Sequence, residues 1–399
     1  MPGVLFDIRT NQRTGIARYG LGLVRELAEL AVAGEAPPLT VYVEPDRASE
    51  AAAAIGRAPV AVVPATEPDG FVRGSAALRR LLADGDFDLY HATHYTVDLR
   101  CPVPFSYTVH DLHRLRDPGH DYAREDFVGR FGTGQWRAVL DDLAMLADWD
   151  DGVGGPFRRY FTALNRVLAI RAAGRVAVSR ATRDDMVALL DVPSAGVDLV
   201  PCGVRTEVFH PRPGTRQVSR PYCLYVGLTG PNKRFGWLLD RWLRNNDRFP
   251  GGARLVVVGG EAERLPAVAR LLSNSAAAAS VCFTGRVDDD TLAELYSGAS
   301  ALLVASLHEG NHLVPLEALA CGTEVVCTDI PPLRETLDGH AHFYRPDDTA
   351  RLARLVDDAL RGTLPRRAPG FPVPLWRESA RALVASLRRS ARGSPPTPR

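Results

Sequence analysis

Two glutamates in one short segment are placed to do chemistry together. They lie in Ser306-Leu-His-Glu-Gly-Asn-His-Leu-Val-Pro-Leu-Glu-Ala-Leu-Ala-Cys-Gly322, with Glu309 and Glu317 separated by seven residues. An apolar run ends at Ser306 and a Gly-containing turn follows. Pro315 then suits the first turn of a helix, which Gly322 closes. One carboxylate therefore sits on a turn and the other on a helix, each able to accept two hydroxyl hydrogen bonds from a sugar or a ribose. The free N–H groups at such a helix start favour a phosphate. Each glutamate also has an ordinary explanation that is stronger when taken alone. Glu317 can compensate a helix dipole, and Glu309 can be a solvated loop carboxylate.

Periodicity gives the strands and helices around them. Short apolar runs, many of them β-branched, read as buried strands at Val4-Ile8, Leu39-Val43, Val60-Val63, Asp88-Ala92, Phe105-Val109 and Arg175-Val178. A second set falls at Tyr222-Val226, Arg254-Val258, Val281-Thr284, Ala301-Ala305, Glu324-Cys327 and His342-Tyr344. Helical patterns lie between them, such as Ile16-Ala33, Ala181-Leu190 and Thr349-Leu360. Alternating strand and helix argues for parallel sheets covered on both faces. The expected architecture is α/β, with two Rossmann-like doubly wound domains. The Pro- and Gly-rich stretch His210-Arg216 reads as the linker, dividing the chain into 1–212 and 213–370. A second irregular stretch, Pro365-Pro374, precedes an amphipathic helix within 371–391 that carries Trp376, Ala380, Leu383 and Leu387 on one face. The tail 392–399 is Ser/Pro-rich and expected to be disordered.

Bulk composition excludes several classes. The 399 residues are 46% hydrophobic and 24% charged, ordinary for a globular protein, and suggest two to three domains. A net charge of +1 gives no sign of a nucleic-acid partner. The six cysteines form no Cys-x-x-Cys pair, so buried free thiols in a reducing compartment are expected. Asp7 and Arg9 interrupt any signal-peptide core, and no apolar run approaches the roughly 18 residues that span a bilayer. These features point to a cytoplasmic location. The Arg-rich stretch Gly152-Arg183 could make peripheral contact with an anionic membrane surface, but a solvated face is preferred. Asp288-Asp-Asp290 reads as a helix cap, and the acidic loop at Asp148, Asp150 and Asp151 is not read as a metal site. No Gly-x-Gly-x-x-Gly follows a strand and opens a helix, which argues against a nicotinamide enzyme.

The segment 309–322 resembles the Glu-x7-Glu signature of the retaining GT-B glycosyltransferases of family 4, also called glycosyl transferases group 1. Their common pattern is Glu-Gly-Phe-Gly-Leu-Pro-x-Leu-Glu-Ala-Met-Ala-Cys-Gly. Glu309, Gly310, Leu313, Leu316, Glu317, Ala318, Ala320, Cys321 and Gly322 match it, whereas Asn311, His312 and Val314 depart. Further matches run along nearly the whole chain: Thr14-Gly-Ile-Ala-Arg-Tyr19, Thr108-Val-His-Asp-Leu112, Val178-Ser-Arg-Ala-Thr-Arg183, Val200-Pro-Cys-Gly-Val204, Tyr225-Val-Gly-Leu-Thr-Gly-Pro-Asn-Lys233, Leu255-Val-Val-Val-Gly-Gly260 and Asp329-Ile-Pro-Pro-Leu-Arg-Glu335.

The resemblance implies a GT-B fold: two domains facing a central cleft, and a C-terminal helix crossing back to the first. It implies an acceptor-side first domain, a nucleotide-sugar-binding second domain, and retaining, metal-independent transfer to a hydroxyl acceptor without a cofactor. By the same resemblance Glu317 holds the donor ribose and Glu309 the donor sugar. Lys233 neutralises the diphosphate, and His110 lies near the reacting sugar. Gly15 lets backbone approach the phosphate. Gly227, Arg234, Gly310, Asn311, His312 and Leu313 complete the donor-binding set. Many relatives carry an Arg beside the loop lysine; here those positions are Leu228 and Asn232, and Arg234 is the proposed substitute. The segment 120–155 has no counterpart in the family pattern and is the candidate acceptor element. Two other readings stay open: a catalytically weak homologue that binds a nucleotide or partner, and a nucleotide-sugar epimerase or phosphorylase on the same fold. The identities of the donor, the acceptor and the oligomeric state stay open as well.

Overall fold

The computed structural model describes residues 3–10, 15–66, 76–117, 121–214, 218, 221–260, 262, 265–365 and 370–392. Thr14, His120, residues 215 and 216 of the expected linker, 366–369 of the second irregular stretch and 393–399 of the tail lie outside them. The chain forms two compact units, one of residues 1–202 with 376–399 and the other of residues 203–375.

The first unit is built on a parallel sheet of β1 (Gly3–Asp7), β2 (Leu39–Val43), β3 (Ala61–Pro64), β4 (Phe87–Ala92), β5 (Phe105–Val109), β6 (Gly174–Ala177) and β7 (Asp198–Leu199), in the order β3-β2-β1-β4-β5-β6-β7. Strand order reverses between β1 and β4, which sit in register at Leu5 and Tyr90. Six of these strands coincide with the expected apolar runs within a residue or two. The seventh, β7, has two residues and too little sequence to carry a period. All five residues of β5 are buried, so its polar side chains need partners. His91 provides them for Ser106 and Thr108: Nδ1 lies 2.7 Å from Ser106 Oγ, and Nε2 lies 3.2 Å from Thr108 Oγ1.

The segment 121–155 is helical, with Arg124–Phe131 and Thr133–Met145 as its main elements. Phe127, Trp136, Val139 and Leu143 are buried in the same core as Phe157 and Tyr160. Three arginines of the basic stretch find their partners in this segment. Arg158 Nη1 bonds Asp151 at 2.8 Å, Arg159 Nε bonds Asp150 at 3.0 Å, and Arg166 Nη1 donates to the Trp149 carbonyl. The acidic loop is thus an ion-pairing partner of the helix Pro156–Arg171.

The terminal helix Trp376–Arg392 belongs to the first unit. It buries Trp376, Ala380, Leu383, Val384 and Leu387, an i, i+4, i+7, i+8, i+11 stripe. That stripe lies on the helix Gly15–Val32, where the Trp376 ring sits edge-on to Tyr19 at 5.8 Å between centroids. A Cβ on Gly22 would overlap the Trp376 ring, so the absence of a side chain there sets how closely the two helices approach.

The second unit carries a parallel sheet of β8 (Tyr222–Val226), β9 (Arg254–Val258), β10 (Val281–Gly285), β11 (Ala301–Val304), β12 (Val325–Thr328) and β13 (His342–Tyr344), in the order β10-β9-β8-β11-β12-β13. Its reversal point lies between β8 and β11, paired at Cys223 and Ala301. The helices Phe235–Asn245 and Thr349–Arg361 cover it with Leu239, Trp242, Leu352, Leu355 and Val356. The passage between units falls at Cys202–Gly203, ahead of the stretch read as linker. The reason is that Gly203–Arg212 is bound to the second unit: Val204 N–H donates to the Pro374 carbonyl, and Arg212 reaches Asp290 at 2.7 Å. Asp288 caps the helix Asp289–Gly298 by accepting from Thr291 N–H, in agreement with the capping expectation. Among the described residues no helix is long and apolar enough to cross a membrane, and none of the six cysteines is in a disulfide.

Candidate donor site on the second unit

The reversal point of the second sheet gathers two loops. One runs from the end of β8 through Gly227 to Lys233; the other runs from the end of β11 to the helix Leu313–Ala320. In open parallel sheets the crevice at such a point is where ligands bind. Gly227 has φ 134° and Gly259 has φ 119°. A Cβ on Gly259 would stand 2.6 Å from the Gly227 carbonyl oxygen, so the loop lies flat against the neighbouring strand end. Leu307 N–H donates to the Asn232 carbonyl at 2.8 Å and ties the two loops together. Tyr225 Oη donates to the Leu228 carbonyl at 2.6 Å and fixes the start of the turn.

Three of the expected residues meet here. Lys233 Nζ donates to Glu309 Oε1 at 2.6 Å and to Oε2 at 2.7 Å. His312 Nε2 lies 3.0 Å from Glu309 Oε1. The Glu309 side chain is 7% exposed, that of Lys233 23% and that of His312 10%. Burial alone would raise the Glu309 carboxyl, but His312 and Lys233 outweigh it and hold it down to about 2. Burial lowers His312, Lys233 pushes the same way, and Glu309 opposes them. His312 also stands at the N-cap of Leu313–Ala320 with extended backbone and no side-chain cap bond. Its ring is thus free of a capping role and committed to Glu309. Gly310 and Asn311 complete the turn between the two.

Glu317 lies on the helix and is 4% exposed. Tyr296 Oη donates to its Oε2 at 3.3 Å, and Thr323 Oγ1 bonds the Tyr296 carbonyl at 2.6 Å. The first bond holds the carboxylate from the helix Asp289–Gly298, and the second ties that helix to the segment after Gly322. The helix closes at Gly322, whose φ is 81°, where sequence placed its end.

Arg234 does not join the cluster. Its backbone is left-handed, φ 51°, which turns the side chain onto the Trp237 ring at 4.2 Å. Nη1 donates to the Pro346 carbonyl at 2.6 Å and Nη2 to Asp347 Oδ1 at 2.9 Å. The cation beside Lys233 in this structure is therefore the ring of His312 when protonated, not Arg234.

Two expected residues lie on the first unit. Gly15 opens the helix Gly15–Val32. His110 follows β5, and its Nε2 lies 2.8 Å from the Thr93 carbonyl, an acceptor, so Nε2 carries the proton and Nδ1 has the lone pair. Burial keeps the ring neutral. Asp111, its sequence neighbour, is bonded to His113 rather than to His110. Next to it the His94 ring lies 3.8 Å from that of Tyr95 and 6.2 Å from that of His110.

Sequence reading did not find the His312–Glu309 bond, although a histidine three residues after a glutamate, at a helix start, is a signal that could have raised it. It had no way to find Tyr296, whose link to Glu317 spans two helices.

Comparison with known proteins bears on this arrangement. Residues 220–361 match the family described as glycosyl transferases group 1, and residues 14–203 match the glycosyl transferase 4-like domain. The chain is 26% identical over 189 residues to the O-antigen chain mannosyltransferase RfbU of Salmonella typhimurium, covering 47% of this chain and 51% of the relative. It is 30% identical over 294 residues to the D-inositol 3-phosphate glycosyltransferase of Acidothermus cellulolyticus, covering 64% of each. The match thus spans about half of the first relative's length and under two thirds of the second's. The structure is similar to that of Anabaena HepE in complex with UDP-glucose, with TM-score 0.65, 14% identity and coverage of 98% of this chain and 95% of the other. It is also similar to WaaG, a glycosyltransferase involved in lipopolysaccharide biosynthesis, with TM-score 0.57, 15% identity and coverage of 97% and 98%. Two parallel-sheet domains with GT-B structural neighbours, matched by both domain families in their order along the chain, place this protein in the glycosyl transferases group 1 family.

Proposed function

We propose that this protein transfers a hexose-type sugar from a nucleoside-diphosphate donor to a hydroxyl acceptor, with retention and without a metal ion. The observation that carries the proposal is the half-buried Lys233–Glu309–His312 cluster beside the start of Leu313–Ala320, with Glu317 anchored on that helix. Glu317 accepts from the ribose hydroxyls and Glu309 from the sugar hydroxyls. Lys233, together with the helix N–H groups, faces the diphosphate and stabilises the charge that develops as the bond to the sugar breaks. The acceptor hydroxyl attacks on the face the diphosphate leaves, and its proton passes to a diphosphate oxygen. The bond to the anomeric carbon changes from phosphate oxygen to acceptor oxygen, so the donor's anomeric configuration is kept. Much of the barrier reduction comes from holding donor and acceptor together. Roles for His110 and Gly15 rest on the family resemblance, as does the assignment of 120–155 as acceptor element. UDP-glucose bound to HepE, and the mannosyltransferase and D-inositol 3-phosphate glycosyltransferase among the relatives, support a nucleotide sugar as donor. A cytoplasmic location belongs to the same reading.

The test is turnover of UDP- and GDP-sugars by the purified protein, with the product's anomeric configuration read by NMR. Release or transfer of sugar from one donor, reduced roughly 10- to 100-fold in Lys233→Met, is the expected result, since a hydrogen bond to a charged group contributes about 1.5–3 kcal/mol. An inverted product, or equal turnover by Lys233→Met, contradicts it.

A further inference from the structure

The family pattern has glycine where this chain has His312, and that substitution changes the charge balance of the site. In the protein as it stands, Lys233 spends its charge on both oxygens of Glu309. A bound diphosphate brings more negative charge than that shared cation can balance. His312 is the one ring in the cluster that can supply the difference. It is bonded to Glu309 through Nε2, which fixes that nitrogen as the N–H donor. Nδ1 is then a lone-pair acceptor while the ring is neutral, and becomes a second N–H donor on protonation.

We propose that His312 binds the donor diphosphate by taking up a proton at Nδ1 as the anion arrives, so that donor binding and proton uptake are one event. This inference rests on the donor-site reading above and adds to it a residue that sets the pH dependence of donor affinity. The proton comes from solvent on binding and returns to solvent when the nucleotide leaves; no bond other than N–H forms or breaks on the ring. Throughout, Nε2–H stays on Glu309, so the same carboxylate that holds Lys233 keeps the ring oriented. The charged groups facing His312 are Lys233 from the β8 turn and Glu309 from its own loop. Tyr225 at the end of β8 lies close enough to feel Glu309's charge, but its hydroxyl is bonded to Leu228. Arg234 is held by Asp347, and Glu317 by Tyr296. Before the anion arrives, burial and Lys233 keep His312 neutral near pH 7. Binding therefore starts from the unprotonated ring, and a diphosphate beside Lys233 reverses the sign of the field.

The experiment is titration calorimetry of the full chain with UDP-glucose, GDP-mannose, UDP and GDP, in buffers of different ionisation enthalpy. A nucleotide-sugar diphosphate has no group that titrates near neutrality, so net uptake on binding either sugar nucleotide belongs to the protein. The expected result is uptake approaching one proton by the wild type. Affinity should rise up to about tenfold for each unit of pH lowered, within the window between the free and bound values of His312. His312→Gln should bind more weakly at pH 6.5, take up no proton and lose the pH slope. His312→Gly, which restores the residue of the family pattern, is the second variant should the first not fold. Because both variants retain His308, the neighbouring imidazole of the loop, their difference from wild type isolates His312. Binding without uptake in the wild type, or uptake that persists in the variants, overturns the inference and leaves the donor reading standing. Absence of binding to all four ligands overturns the donor reading and the inference with it.

Discussion

Glu309 illustrates how much a single carboxylate is asked to do. It is nearly buried, and it survives as an anion because Lys233 donates to both of its oxygens and His312 donates to one. Its folded value, held near 2, lies below the ordinary 4.5. Its contribution to stability is therefore complete above pH 4.5 and drains away as pH falls toward 2. His91 acts over a higher range. Burial lowers it to about 3, because the charged ring is costly where no water reaches it. Its contribution is complete above pH 6.5 and is lost progressively down to pH 3. Urea unfolding at pH 7.5, 6.5, 5.5 and 4.5 should thus show stability falling below pH 6.5, with His91 contributing a slope of up to about 1.4 kcal/mol per unit. His91→Asn should flatten that slope; an unchanged slope in the variant contradicts the assignment. At this scale the carboxylates and the lysine were legible because their spacing matches a known signature. The partners that hold them were not. Arg234 was expected beside the phosphate, but a left-handed backbone at that one position turned it to Asp347, and nothing in the residue order announces such a turn.

Strands and helices were the most legible level. Buried parallel strands read as continuous apolar runs, and β2, β5, β8, β9 and β13 match their sequence bounds residue for residue. The helices of 121–155 were less visible because they are short and carry their core aromatics unevenly, Phe127 and Trp136 lying on different helices. The terminal helix is the element with the sharpest energetic test. Trp376 is 6% exposed and fills the space over Gly22. Trp376→Ala removes that contact and leaves a cavity, at a cost of about 3–5 kcal/mol. Denaturant unfolding of the first unit should register it, whereas Arg377→Ala, which loses only an exposed pair with Glu29, should cost less than about 1 kcal/mol. Equal effects of the two would mean that the helix is held by its charges and not by its apolar stripe.

In the whole molecule, residues 203–375 are an insertion into the first unit, which the chain leaves at Cys202 and re-enters at Trp376. That organisation was only partly legible. The proline-rich stretches drew attention to 210–216 and 365–374, but the bond from Val204 to Pro374, 170 positions apart by their own numbering, decides where the second unit begins, and such a pairing leaves no local trace. The division makes a prediction about autonomy. A fragment of residues 203–375 contains its complete sheet and both anchors of the donor cluster, so it should fold alone. A fragment of residues 1–202 lacks the helix that covers Tyr19 and Gly22. It should gain protected amides only when a peptide of residues 371–392 is added, as hydrogen exchange would record. Protection of 1–202 without the peptide contradicts this account.

In the proposed function the second unit holds a nucleoside diphosphate between Lys233, Glu309 and Glu317. Thermal unfolding of the full protein against a panel of nucleoside diphosphates and their sugars tests it most directly. A ligand at about 100 times its dissociation constant adds roughly 2.7 kcal/mol of stability. A clear upward shift with one nucleotide, lost in Glu317→Ala, is the expected result. No shift with any nucleotide, or a shift that Glu317→Ala retains in full, would contradict it.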